Sequence, residues 1–497
     1  MNMVTTPLLL ISLWLVSSSH PVKAASNQET ILKLTRRLYW YAIHYPLNGH
    51  DLEIMHKITN QIRSLQRPKS AWAIPDKDRQ AYMPPLVEWG HRYLKLDGFE
   101  FKESSPGAGF GIFATRELPA NHVVMKGPLN YTLSKSDTKP RVRYCIKEDR
   151  IQLMKGRYED YWNNHIYVAL RLILERLDPN SFYKPYIDAL PYTFAHPITF
   201  TPTESANLSG SQVYPDSVWT LAEVYVMYTV IYEQLVENEE SCGHIGLSPE
   251  LLTLDMWVWA FGNVITRVFQ DPGGEDMRMI PIRDMVNHDF ESRMEHMTMS
   301  GTLPESTFSM SMTKSLKRGD ELLLEYKDNS LTMDKFFNSW GMVLPGVPNF
   351  ITCKLFPIDP DYDRKRVALE NNGFSLDASL AFNPKLSPLP LSESDFNFLV
   401  AIGTGLIAHE DLDPITWRQT WTFLSDQIEF QLDWYSRSHR ENEAYLEKNS
   451  DLLSPNARLA LHYIMTEQTS LQNGLQLVRR LAEGPILRFH KDDKEEL

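Results

Sequence analysis

The chain has 497 residues, a length that predicts two or three domains rather than one compact core. Its apolar content of 43% and charged content of 23% are ordinary for a soluble globular protein. The formal net charge of −13 argues against a general nucleic-acid-binding protein, which would present a basic face. We therefore expect a multidomain globular protein that does not act on nucleic acid.

The first feature along the chain is a short apolar run at residues 8–16, which is too short to span a bilayer as a helix. Small or β-branched residues follow at Val22 and Ala24. This pattern predicts a secretory signal peptide at residues 1–24, although residues 1–7 contain no Lys or Arg. The alternatives are an uncleaved anchor and a plastid location reached through a bipartite presequence. Since no other apolar run of this kind occurs, the mature chain is predicted to contain no membrane span.

Apolar and basic residues recur at helical spacing in residues 29–45 and 50–66, which predicts two helices. Residues 67–85 contain four prolines and are predicted to form a loop or linker. Residues 86–96 predict one more helix. Together these elements form a predicted N-terminal helical region at residues 25–96.

A turn and a short strand follow, and they contain a G-x-G sequence made of Gly109, Phe110 and Gly111. On its own this sequence indicates a hairpin turn in which glycine supplies a positive φ angle. A second short strand is predicted at residues 123–125.

The three cysteines, Cys145, Cys242 and Cys353, are far apart in the sequence and odd in number. This spacing indicates neither a disulfide framework nor a zinc site of the CxxC type. Free cysteine is among the residue types most often buried. We therefore predict three buried or inert free thiols and no metal site.

Residues 161–177, 221–236 and 254–269 have apolar residues at helical spacing and are predicted to be helices. The last of these carries Arg267 on an otherwise apolar surface. An arginine in such a place needs an anionic partner. An internal Asp or Glu and the carboxylate of a ligand are the two alternatives, and arginine suits a carboxylate because it can pair with both oxygens.

The most informative stretch covers residues 279–343. An apolar run ends in a cluster of polar residues, which are Asp284, Asn287 and His288. An Arg-Gly-Asp turn then leads into an apolar strand that ends at Tyr326, and Trp340 and Gly341 follow. Two strands that each deliver polar groups at one end predict a pocket where the strands end.

Taken in order, these segments resemble the SET-domain methyltransferases, specifically the branch typified by Rubisco large-subunit lysine methyltransferase. In that family a D-x-x-N-H segment and a G-[DE]-E-[LV]-x-x-x-Y segment thread together as a pseudoknot. The resemblance extends from about residue 85 to residue 467. It includes S-x-[WF]-x-P-Y-[LI]-x-x-L-P at residues 181–191, with Tyr183 at the aromatic position, and L-x-G-[ST] at residues 208–211.

The resemblance implies an α+β fold: a SET-type β-fold with a pseudoknot, split by a helical insertion and followed by an all-α C-terminal domain. Residues 355–390 are Pro-rich and predicted to be irregular, and helical spacing returns at 393–406, 415–436, 442–448 and 457–481. The predicted domains are the SET domain at 97–327 with its insertion at about 150–270, a post-SET segment at 328–352, a helical substrate-binding domain at 353–485 and a disordered tail at 486–497.

The resemblance also implies the site residues and the cofactor, S-adenosyl-L-methionine. Tyr326 is the implied catalytic residue, whose hydroxyl would orient the acceptor and polarise the methyl group. Asp284 is interpreted as structural rather than as an acid catalyst, and His288 has no partner at metal-ligand spacing. The implied cofactor-binding residues are Gly109, Phe110, Gly111, His122, Val123, Val124, Arg267, Asp284, Asn287, His288, Trp340 and Gly341.

The function that follows is an S-adenosylmethionine-dependent protein-lysine N-methyltransferase acting on a non-histone protein. Methyl transfer needs an aligned, neutral nucleophile, and a dry channel lowers the pKa of a lysine acceptor. Two departures from the family pattern are Leu331 at an expected Asn and Trp340 at an expected channel Tyr, which an actin-histidine methyltransferase branch also lacks. The alternatives are therefore a protein-histidine N-methyltransferase and a catalytically inactive SET-like module that binds protein.

Two sequences match the acceptor pattern for N-glycosylation, at Asn130 and at Asn207. They matter only if the chain enters the secretory lumen. A methyltransferase in that lumen would depend on imported cofactor, which keeps the plastid alternative open.

Overall fold

The structure, a computed structural model, describes residues 26–44, 47–104, 109–152, 160–271, 276–292, 294, 298–300, 306–326, 331–383, 389–406 and 412–487. The predicted signal peptide and most of the predicted tail lie outside the described residues. Within these ranges, no helix is long and apolar enough to cross a membrane, and no group of three or more His, Cys, Asp or Glu side chains is placed to hold a metal ion.

Two amphipathic helices, α1 (Asn27–Ala42) and α2 (Gly49–Leu65), open the described chain, and α3 (Met83–Tyr93) follows. Both α1 and α2 begin with a capping box, which satisfies backbone N–H groups that a first turn leaves unpaired. The segment between α2 and α3, predicted to be a loop or linker, contains 3-10 turns and buries Arg79. It is therefore packed into the protein.

The β-strands are short and form two four-stranded sheets, one three-stranded sheet and one two-stranded sheet among the described residues. Their bounds are β1 (Lys95–Leu96), β2 (Phe99–Glu103), β3 (Phe110–Ala114), β4 (Val123–Pro128), β5 (Leu133–Ser134), β6 (Phe269–Gln270), β7 (Met277–Met279), β8 (Asn287–His288), β9 (Thr298–Ser300), β10 (Thr307–Ser311), β11 (Glu321–Leu324), β12 (Asn349–Lys354) and β13 (Asp377–Phe382). The sheet orders are β1-β4-β10-β9, β2-β3-β11-β8, β5-β7-β6 and β12-β13.

The sheet β2-β3-β11-β8 positions the site. Its neighbours are antiparallel except β11 and β8, which run parallel, with Leu323 opposite Asn287 and Leu324 opposite His288. A hairpin cannot join parallel strands. The chain leaves β8, contributes β9 and β10 to a different sheet and returns as β11, so the two strand ends meet side by side. This is the arrangement that the sequence predicted.

A block of helices separates β5 from β6 in the sequence. It consists of α4 (Lys135–Val142), α5 (Glu148–Gln152), α6 (Asp160–Leu177), α7 (Lys184–Ala189), α8 (Pro202–Ala206), α9 (Val213–Glu237), α10 (Glu239–Gly243) and α11 (Leu254–Arg267). Helix α9 is buried on nearly all sides, as expected of a helix at the centre of a helical layer. Helix α11 is also mostly buried and brings Arg267 to its C-terminal end.

The C-terminal part has its own apolar core and is mostly helical. Its helices are α12 (Met333–Trp340), α13 (Tyr362–Asn371), α14 (Glu393–Thr404), α15 (Pro414–Asp433), α16 (His439–Asn449) and α17 (Pro455–Glu483). Residues 355–390, predicted to be irregular, instead contain α13 and β13, and β13 pairs antiparallel with β12. The prediction missed this pair because a helix separates the two strands in the sequence.

Cys145 and Cys242 form a disulfide, so the prediction of three free thiols is wrong for this pair. Their Cα atoms are 4.8 Å apart, within the range that a disulfide requires, and both residues are buried. Cys353 is free and buried, and burial raises the pKa of its thiol to about 12. The prediction failed because the fold, rather than local spacing, brings together two residues 97 positions apart.

Candidate active site at the ends of the paired strands

Tyr326 lies just beyond β11 and is held by the segment that leads into β8. Its main-chain N–H donates a hydrogen bond to Nδ1 of His288 at 3.1 Å, and its hydroxyl donates to the carbonyl oxygen of Val286 at 2.7 Å. Burial raises the pKa of Tyr326 to about 12. At physiological pH the side chain is therefore a protonated hydroxyl and not a base.

Asn287 is joined to β11 by a carboxylate to which the sequence analysis gave no role. Its Nδ2 donates to Oε1 of Glu321 at 2.7 Å, and Oγ of Ser104 donates to both carboxylate oxygens, at 3.0 and 2.8 Å. A Cβ atom at Gly111 would lie 2.0 Å from Oε1 of Glu321. The second glycine of the G-x-G sequence is therefore required because a carboxylate occupies the space of its side chain.

Gly111→Ala is expected to lower the free energy of unfolding by about 1 to 3 kcal/mol, because the methyl group displaces a packed carboxylate. It should also weaken binding of S-adenosylmethionine, the ligand predicted for this site, because Asn287 loses its partner. Thermal unfolding and titration calorimetry measure the two effects.

The matched control is Gly109→Ala. Gly109 has a φ angle of +72° and no described heavy atom within 4 Å of its Cβ position, so only backbone strain of about 1 kcal/mol is expected. If the two variants lost equal amounts of unfolding free energy and of cofactor affinity, the role assigned to the Glu321 carboxylate would be contradicted.

Arg267 reaches the turn that contains Asp284. Its Nη1 donates to the main-chain oxygen of Asp284 at 2.7 Å and lies 3.6 Å from Oδ2 of the carboxylate. The hydroxyl of Tyr186 donates to the same Oδ2 at 2.5 Å, and burial raises the pKa of Asp284. The internal acid, one of the two alternatives for Arg267, is thus present. Nε of Arg267 and Oδ1 of Asp284 have no hydrogen-bond partner among the described residues.

Arg79 is a site residue that the sequence analysis missed. It lies in the turn Asp76–Tyr82, is buried, and donates from Nε to the carbonyl oxygen of Ala189 at 2.9 Å. Its guanidinium carbon is 5.4 Å from the centre of the Phe110 ring. Burial, and then the charge of Arg267, lowers its pKa to about 10. No local pattern distinguishes this arginine in its Pro-rich segment.

Arg283 is a second missed residue, and only 1% of its surface is exposed. Its guanidinium carbon lies 3.2 Å from the centre of the Phe269 ring, a cation–π contact. Neither Nε nor Nη1 has a hydrogen-bond partner in the described chain. Burial lowers its pKa to about 9, whereas its interactions with Tyr326 and with the Asp284 carboxylate act to raise it. The side chain is therefore a buried cation near Tyr326 at physiological pH.

Three guanidinium groups contribute to the site, those of Arg79, Arg267 and Arg283. Asp284 and Asp76 are the carboxylates whose charges act on Arg79 and Arg283. Asp76 is also engaged elsewhere, since it accepts a hydrogen bond from the main-chain N–H of Tyr192 at 2.7 Å. A buried cation without a paired anion is costly. The site is therefore suited to a ligand that supplies a carboxylate.

Aromatic rings form one wall of the site. The ring centre of Tyr326 lies 5.2 Å from that of His288 and 5.9 Å from that of Trp340. Burial lowers the pKa of His288, which keeps its imidazole neutral at physiological pH. Gly341, next to Trp340, ends α12 with a φ angle of +65°, and a Cβ atom there would lie 2.3 Å from a main-chain oxygen. These two predicted residues thus lie beside the predicted catalytic tyrosine.

Three predicted cofactor-binding residues lie in another sheet. Val123 and Val124 begin β4, and His122 directly precedes them. Nε2 of His122 is 3.1 Å from the carboxylate of Asp97. The side chain of Val123 is exposed, whereas that of Val124 is buried in the core. Among the described residues, no hydrogen bond or ring contact joins them to Tyr326. Their role in binding stays a prediction.

No family model matches this chain. Several known proteins, however, are similar to it over nearly its whole length. Actin-histidine N-methyltransferase of Canis lupus familiaris is 22% identical over 93% of this chain and 80% of its own length. The Homo sapiens protein of the same name is 23% identical over 91% and 78%, and the Xenopus tropicalis one is 31% identical over 55% and 46%.

Solved structures share the fold. The SET domain of LSMT bound to lysine and AdoHcy superposes with a TM-score of 0.61 at 17% identity, over 81% of this chain and 93% of that one. Rubisco LSMT bound to AdoMet gives a TM-score of 0.59 at 17% identity, over 83% and 95%.

The chain therefore has the predicted α+β fold, which it shares with the SET domain of Rubisco LSMT. The prediction of an S-adenosylmethionine-dependent protein methyltransferase is confirmed as a class, as is the cofactor. Within that class, the sequence relatives are actin-histidine N-methyltransferases.

Proposed function

We propose that this chain transfers a methyl group to a histidine side chain of a protein. Two observations favour histidine over lysine, the acceptor predicted first from the motifs. The relatives that match nearly the whole chain are named for histidine methylation. The site itself contains the buried cation Arg283 near Tyr326.

Arg283 is the single structural observation that carries the proposal. A lysine acceptor approaches as an ammonium ion, and two unit charges roughly 6 Å apart repel by about 3 kcal/mol at an effective dielectric constant of about 20. That energy corresponds to a factor of about 100 in affinity. A neutral imidazole incurs no such repulsion. Lysine is kept as the second candidate because a solved SET domain of similar fold holds lysine.

The residues present fit S-adenosylmethionine, which supplies an activated methyl group on its sulfonium when bound. The unpartnered Nε of Arg267 suits its carboxylate, and the unpartnered Oδ1 of Asp284 suits its ammonium group. We assign the holding of the cofactor to these residues.

Tyr326 acts in this proposal by orienting the acceptor. Its hydroxyl is anchored at 2.7 Å to the carbonyl oxygen of Val286, and oxygen lone pairs remain free to accept a hydrogen bond. The acceptor ring then reaches the methyl group in line, which supplies much of the rate. The imidazole reacts through its unprotonated nitrogen and afterwards releases the proton of its other nitrogen to water. Tyr326 is not the base for this proton, because its hydroxyl is already protonated.

The dependence of rate on pH separates the two acceptors. With a histidine peptide, the rate should rise through about pH 6.5 and then stay level to about pH 9, whereas a lysine acceptor would keep gaining rate towards about pH 10.4. Tyr326 should cause no decline in this range, since its pKa is about 12.

The measurement uses radiolabelled cofactor and two peptides that differ only in His or Lys at the acceptor position. Actin is the first whole protein to test, because the relatives are named for it. Label on histidine supports the proposal, and label on lysine alone overturns it. Absence of both label and cofactor-binding heat would favour the inactive binding module.

A further inference from the structure

The Cys145–Cys242 disulfide is a feature that the methyl-transfer site does not use. It joins the segment after α4 to α10, and both cysteines are buried, at 1% and 0% exposure. Asn238 also links these two segments, because its Nδ2 donates a hydrogen bond to the carbonyl oxygen of Cys145 at 3.1 Å. The bond is therefore an internal structural link. The remaining cysteine, Cys353, is buried, so no cysteine of the chain presents an exposed thiol.

A structural disulfide of this kind indicates the compartment in which a chain folds. Such bonds persist in oxidising environments, whereas the cytosol keeps thiols reduced. The apolar run at residues 8–16 independently predicts delivery to the secretory lumen. The structure and the N-terminal sequence therefore point to the same compartment by separate arguments.

The two glycosylation sequences differ in their surroundings. Asn130 is exposed in the turn Leu129–Tyr131 at the surface. Asn207 is partly buried, and its side chain is fully engaged: Nδ2 donates to the carbonyl oxygens of Thr203 and Glu204 at 3.3 Å, and Oδ1 accepts from Arg437 at 2.9 Å. A glycan on Asn207 would break these contacts, whereas one on Asn130 would extend into solvent.

We propose that this chain folds in an oxidising secretory lumen, where Cys145 and Cys242 are joined and Asn130 carries an N-linked glycan while Asn207 does not. The acceptor of methylation is then a protein of the same compartment. That last consequence alone rests on the proposed function.

Both modifications balance chemically. Disulfide formation takes two protons and two electrons from the two thiols, and a protein disulfide of the lumen accepts them and becomes a dithiol. Glycan transfer forms a bond between Nδ2 of Asn130 and the anomeric carbon of a lipid-linked oligosaccharide. The bond from that carbon to the lipid diphosphate breaks, and the amide proton leaves with the diphosphate.

To test this proposal, the full chain is expressed in animal cells that secrete proteins. Treatment with an N-glycosidase should shift the wild-type protein by the mass of one glycan. The shift should vanish in Asn130→Gln and persist in the control Asn207→Gln. Enzymatic deglycosylation in heavy-oxygen water converts the glycosylated Asn to a heavy-oxygen-labelled Asp, which mass spectrometry locates in the wild-type chain. The result therefore does not depend on whether a variant folds.

Thiol counting tests the disulfide in the same material. Under denaturing conditions, a maleimide label should reach one thiol before reduction and three after it. A chain made in the cytosol without residues 1–24 is the control and should show three thiols from the start.

Three free thiols in the full chain, a glycan on Asn207, or no mass shift on treatment with the N-glycosidase would each overturn the proposal. None of these measurements involves methyl transfer. They therefore fail or succeed independently of the proposed histidine methylation.

Discussion

Tyr326→Phe is expected to reduce the rate of methyl transfer by about 100- to 1000-fold while the affinity for S-adenosylmethionine stays within about threefold of the wild type. The substitution removes one hydroxyl and keeps the ring that packs against His288 and Trp340. The acceptor loses its orienting group, whereas the cofactor keeps Arg267, Asp284 and Asn287. Single-turnover rates and titration calorimetry on the same preparations separate the two effects.

Tyr183→Phe is the control for this experiment. Tyr183 is also a buried tyrosine, but its hydroxyl donates to the carbonyl oxygens of Asn130 and Thr132, away from the site. Its loss should leave the rate close to that of the wild type. If both variants lose activity equally, the effect belongs to stability, and Tyr326 loses its assigned role.

The position of Tyr326 was predictable because its signal is local. Tyr326 ends an apolar strand after a turn, and Asn287 and His288 end another, so sequence order alone indicates two strand ends with polar groups. The parallel pairing of β8 with β11 then brings the two ends together. A motif of this kind specifies both the residue type and its position in the fold.

Arg79 and the disulfide could not be predicted in the same way. Arg79 lies in a Pro-rich segment without helical or strand periodicity, and it becomes a site residue only because that segment packs against α7 and β3. Cys145 and Cys242 are brought together by the helical insertion, and their spacing of 97 residues carries no signal. Tertiary proximity is the missing information in both cases.

Glu321 and Gly111 show an intermediate case. Both lie in stretches that the resemblance covers, but only the folded chain shows that the carboxylate occupies the space of a glycine side chain. The sequence pattern named Gly109 and Gly111 alike and gave no physical cause for either glycine. For Gly111 the cause is a hydrogen-bonded network that spans three segments far apart in the sequence, at Ser104, Asn287 and Glu321.

Charge distinguishes two buried arginines, Arg278 and Arg283, in a way that stability can test. Arg278 is paired with two carboxylates, at 2.8 Å to Asp271 and 3.0 Å to Asp276. Arg283 forms no ion pair within the described residues, and two of its nitrogens have no hydrogen-bond partner there. A residue kept buried and unpaired at a cost in stability is more readily explained by function than by folding.

Arg283→Met is therefore expected to raise the free energy of unfolding of the cofactor-free protein by about 1 kcal/mol. Replacing buried ion pairs with apolar side chains of similar size is often stabilising by about 1 to 4 kcal/mol, and the lost cation–π contact with Phe269 offsets about 1 to 2 kcal/mol of this gain. Denaturant unfolding in the absence of ligand measures the change.

The same variant should lose selectivity for histidine. Removal of the buried cation removes the repulsion of about 3 kcal/mol, so the preference for a histidine peptide over its lysine counterpart should fall by about 100-fold. Competition between the two peptides in one reaction with labelled cofactor gives this ratio directly.

Arg278→Met is the matched control, with the opposite expected sign. It leaves Asp271 and Asp276 without their partner, and breaking a buried ion pair in this way costs about 3 to 5 kcal/mol. Its acceptor preference should stay that of the wild type, measured at a temperature where it is folded. If Arg283→Met destabilises the chain as much as Arg278→Met and leaves the peptide ratio unchanged, then Arg283 is an ordinary structural residue, and the argument for a histidine acceptor falls back on the relatives alone.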